Sequence, residues 1–312
     1  MNKSVMLVGN TGVVGGNLAL NSDFTSMYHR INIGHAYGEK PDILVYAGVT
    51  GTKFMANKYP DKDKGVIDSA IENIKKIMPQ KLVLISTVDV LDQFGKDEDY
   101  MPIESKFGAY GNHRLYLENW VKENIKDYHI VRLPAVYGRG LRKNFIYDLI
   151  HIIPEMLSSE TFEKLIRERP DMKEFYLYQD DDFYHLNSDK GNKKYLRDFF
   201  WKSSFNALSY TDSRSQYQYY NLAWLWGDIK KVMRFNISIL NLATEPVLTK
   251  DLYYDIYGKA FENYISSEPP KYDFRTKYGL GYNGTGKSYL YNRERILADV
   301  EEFIRNELLK IH

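Results

Sequence analysis

Three sets of residues in this 312-residue chain have the types and spacing to do chemistry. The first is Gly9-Asn-Thr-Gly12-Val-Val-Gly15, set directly after the apolar run Val5-Met-Leu-Val8. A glycine turn between a strand and a helix lets backbone approach a diphosphate, whose charge meets the free amides of the helix N-terminus. Gly9, Asn10, Thr11, Gly12, Val13, Val14 and Gly15 are the candidate cradle. The second set is Ser86 and Thr87, hydroxyls placed where the apolar stretch Lys81–Ile85 stops. Ligands of doubly wound sheets bind at that edge. The third is Tyr110 with Arg114, which share one face of a helix at a spacing of four. Among 27 Tyr and 42 Lys+Arg that pair carries little alone. Its weight comes from the order: glycine loop, hydroxyls at a strand end, Tyr-x-x-x-basic, then Arg132-Leu-Pro-Ala-Val-Tyr-Gly-Arg-Gly140.

The elements that must position these residues are legible in the apolar pattern. Strands are expected at Ser4–Val8, Met27–Ile33, Asp42–Ala47, Lys81–Ile85 and Tyr128–Leu133, and a later one at Phe235–Leu242. Between them, helices are expected at Val13–Leu20, Asp61–Met78 (closed by Pro79) and Tyr110–Ile125, with a last one at Asn292–Leu309 capped by Asn292. Interior strands that are apolar throughout belong to a parallel sheet covered on both faces. The expected fold is therefore α/β, a Rossmann-like doubly wound parallel sheet with a smaller C-terminal α/β lobe. The sheet domain is expected to use residues 1–138 and 235–249, and the lobe 139–234 and 250–312. From Phe162 to Gln218 the chain is charged and aromatic without clean alternation.

Composition removes several functions. With 42 Lys+Arg against 41 Asp+Glu there is no general electrostatic attraction to nucleic acid or anionic membrane. Cysteine is absent, which excludes disulfides, thiolate metal sites and a cysteine nucleophile. No apolar run reaches the length of a membrane span, and the start is too short in apolar residues for a signal peptide, so a cytoplasmic protein is expected. No two of the His residues have metal-ligand spacing, and Asp180-Asp-Asp182 reads as a solvated loop, so no metal site is expected. His113, beside the Tyr110 turn, reads as a surface histidine. The aromatic group Tyr217, Tyr219, Tyr220, Trp224 and Trp226 reads as packing, with base or sugar stacking as the alternative. Gly281-Tyr-Asn-Gly-Thr-Gly-Lys-Ser288 matches a phosphate-loop pattern. It follows a polar stretch, Lys271–Tyr278, and only 24 residues come after it, so a surface loop with Lys287 near a substrate phosphate is the favoured reading.

The ordered set resembles the extended short-chain dehydrogenase/reductase family, in its branch of nucleotide-sugar epimerases, dehydratases and reductases. Ser86-Thr-Val-Asp-Val-Leu-Asp92 is similar to the Ser-Thr-Asp-x-Val-Phe-Asp stretch of dTDP-dehydrorhamnose reductases. Arg132 to Gly140 resembles the family's Arg-Pro-x-Asn-Val-Tyr-Gly-Pro-Gly, and Asn241-Leu-Ala-Thr-Glu-Pro-Val-Leu-Thr249 its later Asn-Leu-Gly strand and turn. The resemblance covers residues 4–140 well and 235–260 loosely. It implies an NAD(P)-dependent oxidoreductase, epimerase or dehydratase of a nucleotide-sugar, with Tyr110 as general acid/base and Thr87, or Ser86 second, holding the substrate oxygen. A cation one turn from the phenol, Arg114, is expected to favour its ionised form. Residues 9–15 would take the diphosphate of NAD or NADP, Ala47, Gly48 and Val49 would run under the adenosine ribose, and Pro134 and Val136 would face the nicotinamide amide. Arg142 and Asn144 are candidate contacts for the substrate nucleotide, with helix N-terminal polarity as the plainer explanation. A homodimer is a further expectation.

The chain departs from the family pattern at four places. Arg114 stands where the family has Lys, and a guanidinium does not relay protons. Only 26 residues separate Gly15 from Asp42, which implies one βα unit fewer on the adenine side. No Asp or Glu lies between Asp23 and Glu39 to take a ribose 2′-hydroxyl, while His29 and Arg30 suit a 2′-phosphate. Ala135 replaces the expected Asn, and no Asn occurs from Lys58 to Glu72. These departures keep open a second reading, a dinucleotide- or nucleotide-sugar-binding protein without turnover.

Overall fold

Four-residue apolar runs set the centre of the molecule. In the computed structural model, which describes residues 3–21, 23–187, 193–279 and 288–311, Val5–Val8 (β1) and Ile43–Tyr46 (β3) are buried at every position. Lys81–Thr87 (β4) and Tyr128–Leu133 (β5) continue the sheet, with Ser26–Tyr28 (β2) at one edge and a late strand, Ile239–Asn241, at the other. The order is late strand, β5, β4, β3, β1, β2. Every neighbouring pair is parallel, with Val8 opposite both Tyr28 and Tyr46 and Thr87 opposite Leu133. Parallel pairing puts all the carboxyl ends on one edge, which is where the candidate residues lie. Nothing pairs outside β2 among the described residues, so the sheet ends there, in keeping with the short Gly15–Asp42 spacing.

The helices cover this sheet by the expected periodicity. Val13–Leu18 (α1) follows the glycine loop, Lys53–Lys58 (α2) was not foreseen, and Pro60–Ile77 (α3) and Ala109–Asn124 (α4) follow. α3 has Pro at its first position, where a missing N–H costs nothing. It buries Ile67, Ala70, Ile71, Ile74 and Ile77 on one stripe and ends at Met78 in the left-handed region, immediately before Pro79. Each of those isoleucines contributes about 1.5–3 kcal/mol by leaving water. They pack on Met6, Leu44, Leu82, Leu84, Leu117 and Val121.

One polar group sits at the heart of this core. Glu118 of α4 is fully buried, and so is all but 1% of Arg132 on β5. Arg132 donates from Nη2 to Glu118 Oε2 at 2.6 Å and from Nε to Oε1 at 3.0 Å, while Ser86 Oγ donates to Oε1 at 2.6 Å. The cluster fastens α4 to β4 and β5, and Arg132 Nη1 reaches Asn241 Oδ1 on the late strand at 3.4 Å.

The chain falls into two compact units: residues 1–141, 216–247 and 271–299, and residues 142–215, 248–270 and 300–312. Residues 216–234 and 271–299, expected in the lobe, therefore belong with the sheet. The reason is a parallel pairing of Tyr219–Asn221 with Ala135–Tyr137, which sequence patterning does not reveal. Tyr219, Tyr220 and Trp226 are buried there as packing. The second unit contains short helices and an antiparallel three-stranded sheet of Met156–Ser158, Tyr176–Tyr178 and Phe183–Leu186. Asp180–Asp182 forms the hairpin turn between the last two, with Asp181 held by His185 Nε2 at 2.8 Å. Asn292 caps the last helix, Arg293–Ile311, by accepting the Arg295 N–H. No helix among the described residues is long and apolar enough to cross a membrane. Residues 280–287, most of the phosphate-loop match including Lys287, lie outside the described residues.

Candidate active site

The glycine loop is drawn tight at two points and open at a third. Gly9 has φ +100°, and a Cβ there would sit 2.4 Å from the Ala47 carbonyl oxygen. A Cβ on Gly15 would lie 2.1 Å from the carbonyl oxygen of Gly9. These two glycines let the loop fold onto the end of β3 and let α1 close onto the loop. At Gly12 an added Cβ would meet only the Gly9 oxygen, at 3.5 Å, so the backbone is bare on that side. Asn10 Oδ1 is buried beside it with no hydrogen-bond partner. A half-turn of that amide would offer N–H instead, the donor a phosphate needs. Asn17 pins α1 to the turn after β5: its amide donates to Arg139 O at 2.8 Å and accepts Arg139 N–H at 3.1 Å.

Tyr110 lies at the carboxyl end of β4. Thr87 stands near enough to the Tyr110 hydroxyl to favour its ionised form, and Thr87 Oγ1 accepts the Asp89 N–H at 3.2 Å. The backbone that delivers Tyr110 is shaped by glycine. Gly108, φ +71°, begins the helix without a capping side chain of its own. Asn57 from α2 supplies the missing acceptor: its Oδ1 takes the Tyr110 N–H at 2.9 Å and its Nδ2 donates to Phe107 O. Gly111 has no room for a Cβ, which would fall 2.3 Å from the Asp89 carbonyl, so α4 presses directly on the turn after β4.

The electrostatics around the phenol differ from the expectation. Burial raises the Tyr110 pKa above its ordinary value. Arg114 opposes this, but Asp89 and Asp63 push the same way as burial. Arg114 lowers the pKa as expected, but burial outweighs it, and the guanidinium is shared with other partners. Its Nη1 donates to Asp63 Oδ2 at 2.5 Å and to Tyr110 O at 3.1 Å, and its Nη2 to Asp63 Oδ1 at 2.8 Å and Thr50 O at 2.6 Å. The guanidinium also lies flat over the Tyr110 ring, 4.1 Å from its centre. Arg114 is thus a strut among α4, α3 and the turn after β3. His113, expected on the surface, joins it through Nδ1 at 2.8 Å from Asp63 Oδ2.

The remaining candidates separate into those brought together and those not. Ala47, Gly48 and Val49 lie against the glycine loop, where Gly9 touches Ala47. Ser86, the second choice for substrate oxygen, spends its hydroxyl proton on Glu118. Pro134 separates β5 from the short strand Ala135–Tyr137, which contains Val136. Arg142 and Asn144 belong to the second unit. Asn144 is the N-cap of Phe145–His151 and accepts the Tyr147 N–H at 3.2 Å, which accounts for its position. Asn57, Asp63, Lys53 and Tyr272 were missed. Asn57 stands one residue before the stretch searched for an asparagine. Asp63 meets Arg114 from a sequence distance of 51, and Lys53 meets Tyr272 from 219, separations at which sequence carries no spacing signal.

No protein-family model matches the sequence, and no curated protein sequence does. Solved structures do match. A dTDP-4-dehydrorhamnose reductase from Bacillus anthracis in complex with NADP superposes at TM-score 0.62 with 17% identity, over 98% of this chain and 99% of that one. RMD from Pseudomonas aeruginosa complexed with NADPH superposes at 0.63 with 12% identity, over 99% and 98%. A UDP-N-acetylglucosamine 4-epimerase from Methanobrevibacter ruminantium with UDP-N-acetylmuramic acid superposes at 0.60 with 9% identity, over 97% of each. The fold is that of the extended short-chain dehydrogenase/reductases.

Proposed function

We propose that the chain is an NAD(P)-dependent oxidoreductase or epimerase of a nucleotide-activated sugar. The observation that carries this reading is the succession of contacts along one sheet edge: Gly9 on Ala47, Thr50 on Arg114, Thr87 on Tyr110. Three adjacent strand ends thereby present a diphosphate cradle and a buried phenol on a common edge. The residues fit a dinucleotide, since the loop is closed by glycine at its base, bare at Gly12, and carries the orphaned amide of Asn10. The amides of residues 12–15 would hold the diphosphate, and Ala47 to Val49 would pass under the ribose. His29 and Arg30 follow the end of β2, and no Asp or Glu lies between Asp23 and Glu39. The nearest acid, Glu39, receives the Tyr28 hydroxyl. This favours NADP over NAD.

The nicotinamide would supply the carbon that gives or takes hydride. Tyr110 would move the proton of the sugar oxygen, and Thr87 would hold that oxygen beside it. With its pKa raised, the phenol is neutral at pH 7 and suited to giving a proton, the role required in the reductive direction. The Arg114–Asp63 pairing favours one competing reading, binding without turnover, because it removes the usual free cation. NADPH and NADH titrations by fluorescence, followed by turnover on UDP-, GDP-, CDP- and dTDP-sugars and their keto forms, decide between them. Tyr110→Phe is expected to keep NADPH and lose about 100-fold or more of turnover. Failure of the parent protein to bind either dinucleotide would end this proposal.

A further inference from the structure

Near Tyr110 lies a second polar group that no sequence motif announces. Lys53, the first residue of α2, extends its ammonium over the face of Phe107, 3.7 Å from the ring centre. There it donates to Asp89 Oδ2 at 3.0 Å and to the Tyr272 hydroxyl at 3.1 Å. Phe107 and Tyr272 stack at 5.6 Å between centres and 8° between planes, so the two rings hold the ammonium from below and from the side. Asp89 is the residue whose N–H bonds Thr87 Oγ1, and it stands close enough to Tyr110 to raise the phenol's pKa. Its carbonyl is fastened by Ser105 Oγ at 2.6 Å and pressed upon by Gly111. The backbone at Asp89 is thereby fixed, and Lys53 holds its carboxylate.

We propose that Lys53 is a positioning residue for Tyr110: its ammonium offsets the Asp89 carboxylate and fixes the Tyr272 hydroxyl, adding from α2 to the electrostatic work that Arg114, shared with Asp63, does from α4. The charges facing the phenol can be followed element by element. α4 brings Arg114, and α3 brings Asp63, which neutralises it with His113 as a further partner. The turn after β4 brings Asp89, the chain at 272 brings the neutral Tyr272, and Lys106 lies over Phe94 near Asp89. Asp89 and Asp63 both raise the phenol's pKa, and burial raises that of Tyr272 as well. With the Arg114–Asp63 pair closed on itself, the Lys53–Asp89 pair is the adjustable one. Loss of Lys53 leaves a fixed anion beside the phenol, and loss of Asp89 leaves a fixed cation.

This inference rests on Tyr110 being the proton-transfer group of the proposed reaction, but its test needs no substrate. 3-Fluorotyrosine placed at position 110 reports its own ionisation through its 19F shift, and its more acidic phenol titrates at lower pH. The titration is run to pH 10 on the full chain, with saturating NADP+ and without. Lys53→Met is expected to move the midpoint to higher pH, Asp89→Asn to lower pH, and the double variant back toward the parent. Lys53→Arg, which keeps the charge, is expected to stay near the parent. If the Lys53→Met and Asp89→Asn midpoints coincide, or if none of the four variants titrates by pH 10, the proposal is overturned. A failure of NADP+ to bind while the midpoints still separate would instead count against the proposed function alone.

Discussion

Arg114→Lys puts back the residue that the dehydrogenase pattern carries, and the contacts around Arg114 set the expected result as a loss. The guanidinium and the Asp63 carboxylate are each 4% exposed, and they meet through two parallel N–H···O bonds at 2.5 and 2.8 Å. Two further donors go to the carbonyls of Thr50 and Tyr110. An ammonium on a shorter reach keeps the charge but satisfies a single carboxylate oxygen and at most one carbonyl. A hydrogen bond to a charged group contributes about 1.5–3 kcal/mol, and complete rupture of a buried pair costs about 3–5 kcal/mol. The lysine variant lies between these limits, so about 2–4 kcal/mol of stability should be lost. Urea unfolding read as a change in midpoint at constant slope measures it. The cycle with Asp63→Asn adds the coupling, expected at about 1–3 kcal/mol because the two side chains are in direct contact. A lysine variant within about 0.5 kcal/mol of the parent, or one with faster turnover, would refute the assignment of Arg114 as a strut.

Other outcomes follow from the same geometry. Gly15→Ala forces a methyl against the Gly9 carbonyl and should abolish soluble folded protein, whereas Gly12→Ala, with its nearest neighbour at 3.5 Å, should fold normally and weaken NADPH binding in a fluorescence titration. Glu118→Ala strands Arg132 in the core and should cost about 3–5 kcal/mol in urea unfolding. His129 is 1% exposed, its Nδ1 lies 2.7 Å from the Ile237 carbonyl, and burial lowers its pKa from 6.5. The unfolded chain then binds the proton more readily, so this histidine's contribution is whole above pH 6.5 and falls as pH drops below it. Unfolding midpoints at neutral and mildly acidic pH should converge more closely in His129→Asn than in the parent.

The amino-acid sequence determined the parts governed by local pattern. β1, β3, β4 and β5 are short runs with a period or continuity that burial on both faces requires, and their limits follow the expected ones within a residue or two. β2 is the exception: it stops at Tyr28 rather than Ile33, because the His29–Asn32 turn and the short helical segment after it break the strand. The glycine loop, Thr87 and Tyr110 were legible for the same local reason, since each stands at a fixed place relative to a strand end or helix start. The end of the sheet at β2 was legible from the length of chain between Gly15 and Asp42.

Charge partners were not legible, and they decide what the site can do. Arg114 reads in sequence as the cation beside a phenol, but Asp63, arriving from another helix, turns it into a strut. Ser86 reads as a free hydroxyl at a strand end, but the buried Glu118–Arg132 pair takes its proton. Lys53 and Tyr272 meet only because the chain returns to the sheet after residue 270. Electrostatic energy depends on separation in space and on exclusion of water, and neither is written in the order of residues. Hydrophobic period selects the elements, while the fold chooses which charges face one another.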